Sequence, residues 1–252
     1  MLIAWIAGFS VLGSVGAIIG AAVLLAFPEM VRRTMVPYLV SYAGGTLLGA
    51  AFLGMIPAAL GAAPMRSVLV VVLAGLVAFF VLEKLVIWRH CHDAACEVHG
   101  QAAPLILIGD AFHNFVDGVV IAAAFLVSVP LGITAAIAVI LHEVPQEVGD
   151  FAILLDSGYT RVRALLLNTL SSLTTVAGAL LAWLWLERTS AVIPYVLAVS
   201  AASFVYIALA DLVPGLHKRS SFMDSVLQTV LLVLGIATIA LVKTTGGGQG
   251  PN

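Results

Sequence analysis

Asp110-Ala-Phe-His113-Asn114-Phe-Val-Asp117-Gly118 and His142-Glu143-Val-Pro145-Gln146-Glu147-Val-Gly-Asp150 hold most of the polar chemistry in the apolar part of this 252-residue chain. Each lies inside a long run of Leu, Val, Ala, Ile and Gly. A run of about 20 such residues is long enough to cross a bilayer as a helix. Ionisable groups at that depth cost at least about 2.5–3.5 kcal/mol each unless they are paired, hydrated or bound to a metal. Their presence in two successive apolar runs marks both a membrane fold and its candidate site.

The rest of the chain agrees with a membrane fold. Hydrophobic residues make up 62% and charged residues 10%, and the mean hydropathy is +1.15. A soluble domain is about one quarter charged and nearer half apolar. The expected fold is therefore all-α, a polytopic membrane helical bundle of about eight transmembrane helices. The spans read as Leu2–Phe27, Pro37–Leu60, Ser67–Trp88, Pro104–Val127, Leu131–Leu155, Ala164–Leu186, Ala191–Val213 and Phe222–Val242. Pro28, Pro64 with Arg66, Pro130, Ser157-Gly158 and Pro214-Gly215 punctuate them. One transmembrane domain covers residues 1–243, and the small polar tail 244–252 is expected to be flexible. No Lys or Arg precedes the first apolar run, as in a retained first helix rather than a cleaved signal peptide.

Placing the N-terminus outside puts Arg32, Arg33, Lys84, Arg89, Arg161, Arg163, Lys218 and Arg219 on the inner side. Only Arg66, Arg188 and Lys243 remain on the outer side. By the positive-inside rule, both termini are expected outside the cytoplasm, in a bacterial plasma (inner) membrane. A net charge of −2 gives no reason to expect nucleic acid. The inner loop 89–103 carries His90, Cys91, His92, Asp93, Cys96 and His99. Its thiols are expected reduced, and its spacing is not that of a closed structural zinc site. Small-residue stripes such as Gly44-Gly45 and Gly49 suit packing within one chain or between two, which leaves a homodimer open.

Residues three or four apart share a helix face. His113, Asn114 and Asp117 on the fourth helix therefore form one polar stripe, with Asp110 a turn earlier. His142, Glu143 and Gln146 form another on the fifth, followed by Asp150. Imidazole and carboxylate together suit Zn²⁺, and also Fe²⁺ or Mn²⁺. Pro145 is expected to free the Leu141 carbonyl and to kink the helix. Glu147 and Gly118 read as structural support, and Asp110, Asp150 and Asp211 as candidate relays for protons or ions. His142-Glu143-x-x also opens the H-E-x-x-H pattern of zinc hydrolases, but Gln146 stands where the second His is needed. An intramembrane hydrolase, or a metal-binding sensor without flux, is the alternative to a transporter.

At these residues the chain resembles the ZIP (Zrt/Irt-like) divalent-metal transporters, most closely the branch whose fifth helix reads HEVPHE. Leu170-Ser171-Ser172, Gly178 and the stretch Ser203-Phe204-Val-Tyr206 through Asp211 to Pro214 extend the likeness. The resemblance implies helices one to three and six to eight as inverted repeats around helices four and five. It implies a non-enzymatic transporter carrying zinc, or Fe²⁺, Mn²⁺ or Cd²⁺, toward the cytoplasm by an elevator-like movement. It places the primary metal on His113, Asp117, His142 and the Gln146 position, with Asn114 and Glu143 flanking a second metal or the exit path. Three departures count against a full binuclear site. Gln146 replaces the branch's His, Ala50, Gly54 and Ala58 replace an Asp and two His on helix two, and Thr175 stands where some members carry a carboxylate. No Walker-type nucleotide motif is present, so transport is expected to run on gradients.

Overall fold

A computed structural model describes residues 1–90, 102–216 and 221–246. Cys91, His92, Asp93, Cys96 and His99 of the inner loop lie outside the described residues, as do the side chains of His90 and Asp211 and residues 247–252 of the tail. The described chain is helical, with no strand among the described residues. Its eight spans are α1 (Leu2–Ala26), α2 (Glu29–Ala62), α3 (Met65–His90), α4 (Ala102–Val127), α5 (Val129–Asp156), α6 (Arg161–Leu186), α7 (190–216) and α8 (Phe222–Gly246). Each contains a segment long and apolar enough to cross a membrane. The protein is a multi-pass integral membrane protein.

The second span begins at Glu29, eight residues before the expected Pro37. Pro28 stands at the N-cap, and Glu29 pairs with Arg33 one turn on, at 2.6 Å. These exposed residues form an amphipathic first turn that an apolar-run criterion passes over. Pro37 is carried inside the helix, and α5 likewise runs unbroken through Pro145. Two spans contain a π-helical segment, Ala50–Met55 in α2 and Ile207–Leu212 in α7. Lys243 of α8 donates to the Leu53 carbonyl of the first segment.

Close approach at glycine sets the tightest crossings. A Cβ on Gly118 of α4 would collide with the Thr175 carbonyl of α6, and one on Gly178 of α6 with the Phe115 carbonyl of α4. The α2–α8 crossing repeats the device. Gly45 lies against the Leu232 carbonyl and Gly235 against that of Tyr42. Without a hydrophobic force between helices in lipid, such small-residue contacts let backbones pack at van der Waals distance. Gly45 and Gly49 thus pack against α8 of the same chain. A Tyr38–Asp224 hydrogen bond of 2.7 Å ties α2 to α8, and Tyr206 bonds Glu83 between α7 and α3.

Among the described residues α1 packs on α5 and α6, α4 on α5 and α6, α2 on α8 and α5, and α3 on α7. The interior is occupied by α2, α4, α5 and α7. The apolar stretch of α7 is 67% buried against 11% for that of α3, so α3 is peripheral. Leu73 and Val77 of α3, and Val233 and Leu241 of α8, are exposed apolar side chains of the kind that face lipid.

Candidate metal centre

The α4–α5 connection decides where the polar residues meet. Ser128 alone separates the two helices, and its hydroxyl accepts the Leu131 N–H at 3.3 Å to cap α5. His113 and His142 lie fifteen residues before and fourteen after that link. An antiparallel pair therefore brings them to one level, where their Nε2 atoms are 3.2 Å apart.

Around this pair stand two carboxylates. Asp117 Oδ2 is 3.2 Å from His142 Nε2 and 3.8 Å from His113 Nε2. Glu143 Oε1 is 3.3 Å from His113 Nε2 and 3.5 Å from His142 Nε2. Four donors bound tetrahedrally to zinc at 2.0–2.1 Å would lie about 3.3 Å from one another. The observed spacing matches that requirement. Nδ1 of His142 contacts the Ala138 carbonyl at 2.9 Å. A carbonyl can only accept, so Nδ1 carries the hydrogen and Nε2 of the neutral ring presents its lone pair to the centre. Asp117, His142 and Glu143 are buried. Beyond these imidazole contacts, their four carboxylate oxygens accept no hydrogen bond among the described residues. Buried carboxylates without donors are costly, and a cation is the chemistry that satisfies them.

A second group adjoins the first. Asp110, Glu143 and Glu147 can bring carboxylate oxygens within 4.8 Å of one another, so Glu143 belongs to both groups. Ser171 of α6 donates to Asp110. Asn168 Nδ2 donates to the Glu147 backbone carbonyl at 3.1 Å, while both Glu147 side-chain oxygens and Asn168 Oδ1 are buried without a hydrogen-bond partner among the described residues. The reading of Glu147 as support and Asp110 as a relay missed this juxtaposition. The signal was present in the i, i+4 spacing of Glu143 and Glu147, but the inward rotation of Asp110 depends on α6.

The remaining candidates stand beside the ligand groups. Asn114 donates to Asp110 Oδ1 at 2.9 Å and accepts from Thr175 Oγ1 at 2.9 Å, so its amide links α4 to α6. Gln146 reaches Asp110 Oδ1 at 3.5 Å and lines a cavity of about 460 Å³ together with His113, Asp150, Pro145, Val36 and Leu212. That cavity opens at the end of the bundle where α2 and α4 begin and α5 and α7 finish. The other side of the centre is apolar: Phe204 packs edge-on to His142 with ring centroids 6.0 Å apart, and Met55, Phe125, Leu131 and Ala135 are buried.

A family model described as ZIP zinc transporter matches residues 88–243, more than half of the chain. The chain belongs to the ZIP family. Zinc transporter ZIP13 of Pongo abelii is 34% identical over 221 residues, covering 81% of this ZIP chain and 65% of that relative. Zinc transporter ZIP10 of Danio rerio is 36% identical over 145 residues, covering 55% of this chain and 17% of its own length. Human zinc transporter ZIP4 is 43% identical over 114 residues, 45% of this chain and 18% of the relative. This ZIP chain thus spans less than two thirds of these relatives. The family description is that of a transporter, not of an enzyme.

Proposed function

We propose that the chain carries divalent metal, zinc foremost, across the membrane toward the cytoplasm through the site between α4 and α5. One observation carries this reading: His113, Asp117, His142 and Glu143 converge at zinc-like spacing, and His113 also lines a cavity with Gln146 and Asp150 toward the end of α5. With the basic ends of the helices inside, that end is cytoplasmic, both termini are outside, and the molecule stands inward-open. Iron, manganese and cadmium suit the same donors. The three-carboxylate group behind Glu143 offers the ion a second station toward α6, built from Asp110 and Glu147 rather than from helix two.

Alternating access follows from an inverted repeat of α1–α3 and α6–α8 around α4 and α5. The exchange of partners supports it. α1 packs on α5 as α6 does on α4, and α2 on α8 as α7 does on α3. Both α2 and α7 carry a π segment. The body α1, α4, α5 and α6 would slide as an elevator against the pairs tied by Tyr38–Asp224 and Tyr206–Glu83. The hydrolase reading loses ground because Glu143, its general base, is itself one of the four facing donors.

Metal entry into proteoliposomes, compared for zinc, iron, manganese and cadmium, tests this. Saturable zinc entry is expected, lost in His113→Ala and Asp117→Ala. Entry no faster than into empty liposomes, by folded protein that binds metal, would sink transport and favour a sensor.

A further inference from the structure

Away from the metal centre, a second cavity of about 400 Å³ lies at the basic end of the bundle, where α1 and α5 finish and α2 and α6 begin. Its walls are apolar side chains such as Leu25, Phe151, Leu155 and Leu165, and its polar groups are two arginines, Arg32 and Arg161. Among the described residues, no acidic side chain lines it. Arg32 is held in place by α1, since its Nη1 donates to the carbonyls of Leu25 and Phe27, both at 3.1 Å. That leaves Nη2 and Nε of a five-donor guanidinium without a bond among the described residues. Arg161, exposed at the first position of α6, has no ion pair or hydrogen bond from its side chain among the described residues. Its neighbour Arg163 is occupied by the face of Tyr159, 4.7 Å from the ring centroid.

Two cations on one cleft repel each other and call for an anion. A guanidinium pair forks onto phosphate oxygens. Ala22, Val162 and Leu165 of its lining are exposed apolar side chains on α1 and α6, a place for an acyl chain and not for a soluble ion. We infer that this cleft binds an anionic phospholipid, its headgroup phosphate between Arg32 and Arg161 and a chain along Leu25, Phe151 and Leu165. Charge complementarity and the apolar floor together select this occupant. Basic pockets between helices on the cytoplasmic side take anionic headgroups by this chemistry. The lipid would bridge α2 to α1, α5 and α6.

Native mass spectrometry of the full-length protein tests the assignment, with phosphatidylglycerol and phosphatidylcholine of identical chains added in turn. Phosphatidylglycerol adducts are expected to outlast phosphatidylcholine adducts, by about fivefold for each arginine that contributes. Arg161→Gln should remove its share and Arg161→Lys should keep most of it. Arg161→Gln is the primary variant because Arg32→Gln also removes the cap on α1. Adducts that ignore headgroup charge, or survive unchanged in Arg161→Gln and Arg32→Gln alike, would overturn the site. Equal displacement of bound lipid by inorganic phosphate at matched concentration would also overturn it, since the cleft would then be reading a free anion. None of these outcomes depends on whether metal is transported.

Discussion

Asp117→Ala removes a buried oxygen that stands 3.2 Å from His142 Nε2. Changing groups that only orient metal ligands already weakens binding by about 10–100-fold, so loss of this donor should cost at least that much. Gln146→Ala is expected to change zinc affinity by less than about tenfold, the lower end of that range, because its amide faces Asp110 and the cavity rather than the four donors. Calorimetric titration of the purified variants checks both. Near-equal losses would restore Gln146 to the primary ligand set that the family resemblance gives it. Imidazole and carboxylate bind metal only when unprotonated, so affinity in the unaltered protein should also fall as the buffer is acidified. At this scale the sequence picked out the two polar stripes but not which of their residues face one another. His113 with Asp117 follows from helical spacing, whereas spacing pairs His142 with Gln146, four residues on, and Glu143 is expected only to flank a second metal or the exit path. The partnership of Asp110 with Glu147 does not follow from spacing, because it depends on the rotation of α4 and α5 about their axes. Contacts from Ser171 and Asn168 of α6 accompany that rotation, and no spacing within either helix encodes it.

Helices in lipid are held by shape, and the α4–α6 crossing shows how narrow the tolerance is. Gly118→Ala drives a methyl group into the Thr175 carbonyl and the Ala179 amide, both backbone and neither able to swing aside. Overpacking of this kind costs about 1–3 kcal/mol. The variant should lower the apparent unfolding temperature and, by parting α4 from α6, loosen the Asn114–Thr175 bond. Gly61→Ala meets nothing within 4 Å and should leave the unfolding temperature unchanged or slightly raised. Thermal unfolding in one detergent compares them, and equal behaviour would mean that the crossing is not under steric control. Gly118 could be read beforehand as a close-packing residue, but its reciprocity with Gly178 could not. Element boundaries show a similar division. Apolar run length found all eight spans, yet missed the first eight residues of α2, where the Glu29–Arg33 pair extends the helix in polar surroundings.

For the molecule as a whole, the proposed transport turns on which side reaches the four facing donors. The cavity lined by Val36, His113, Gln146 and Asp150 lies toward the helix ends that bear Arg32 and Arg161, whereas Met55, Phe125 and Leu131 are buried toward the opposite ends. In the orientation proposed above from the positive-inside rule, that basic end faces the cytoplasm. Two cysteine probes join these statements in one experiment. In a background with Cys91→Ser and Cys96→Ser, Val40→Cys would line the open cavity. Leu131→Cys would lie among those buried residues, where the native side chain is 8% exposed. A membrane-impermeant thiol reagent should label Val40→Cys in inside-out vesicles and not in right-side-out ones. Leu131→Cys should stay protected from both sides while the inward-open state prevails. Zinc that occupies the centre and favours passage outward and back should then slow labelling at Val40→Cys and raise it at Leu131→Cys. Labelling of Val40→Cys from the outer face would reverse the orientation, and with it the direction of transport. Zinc-independent labelling at both positions would leave the binding site intact but remove the moving body from the mechanism.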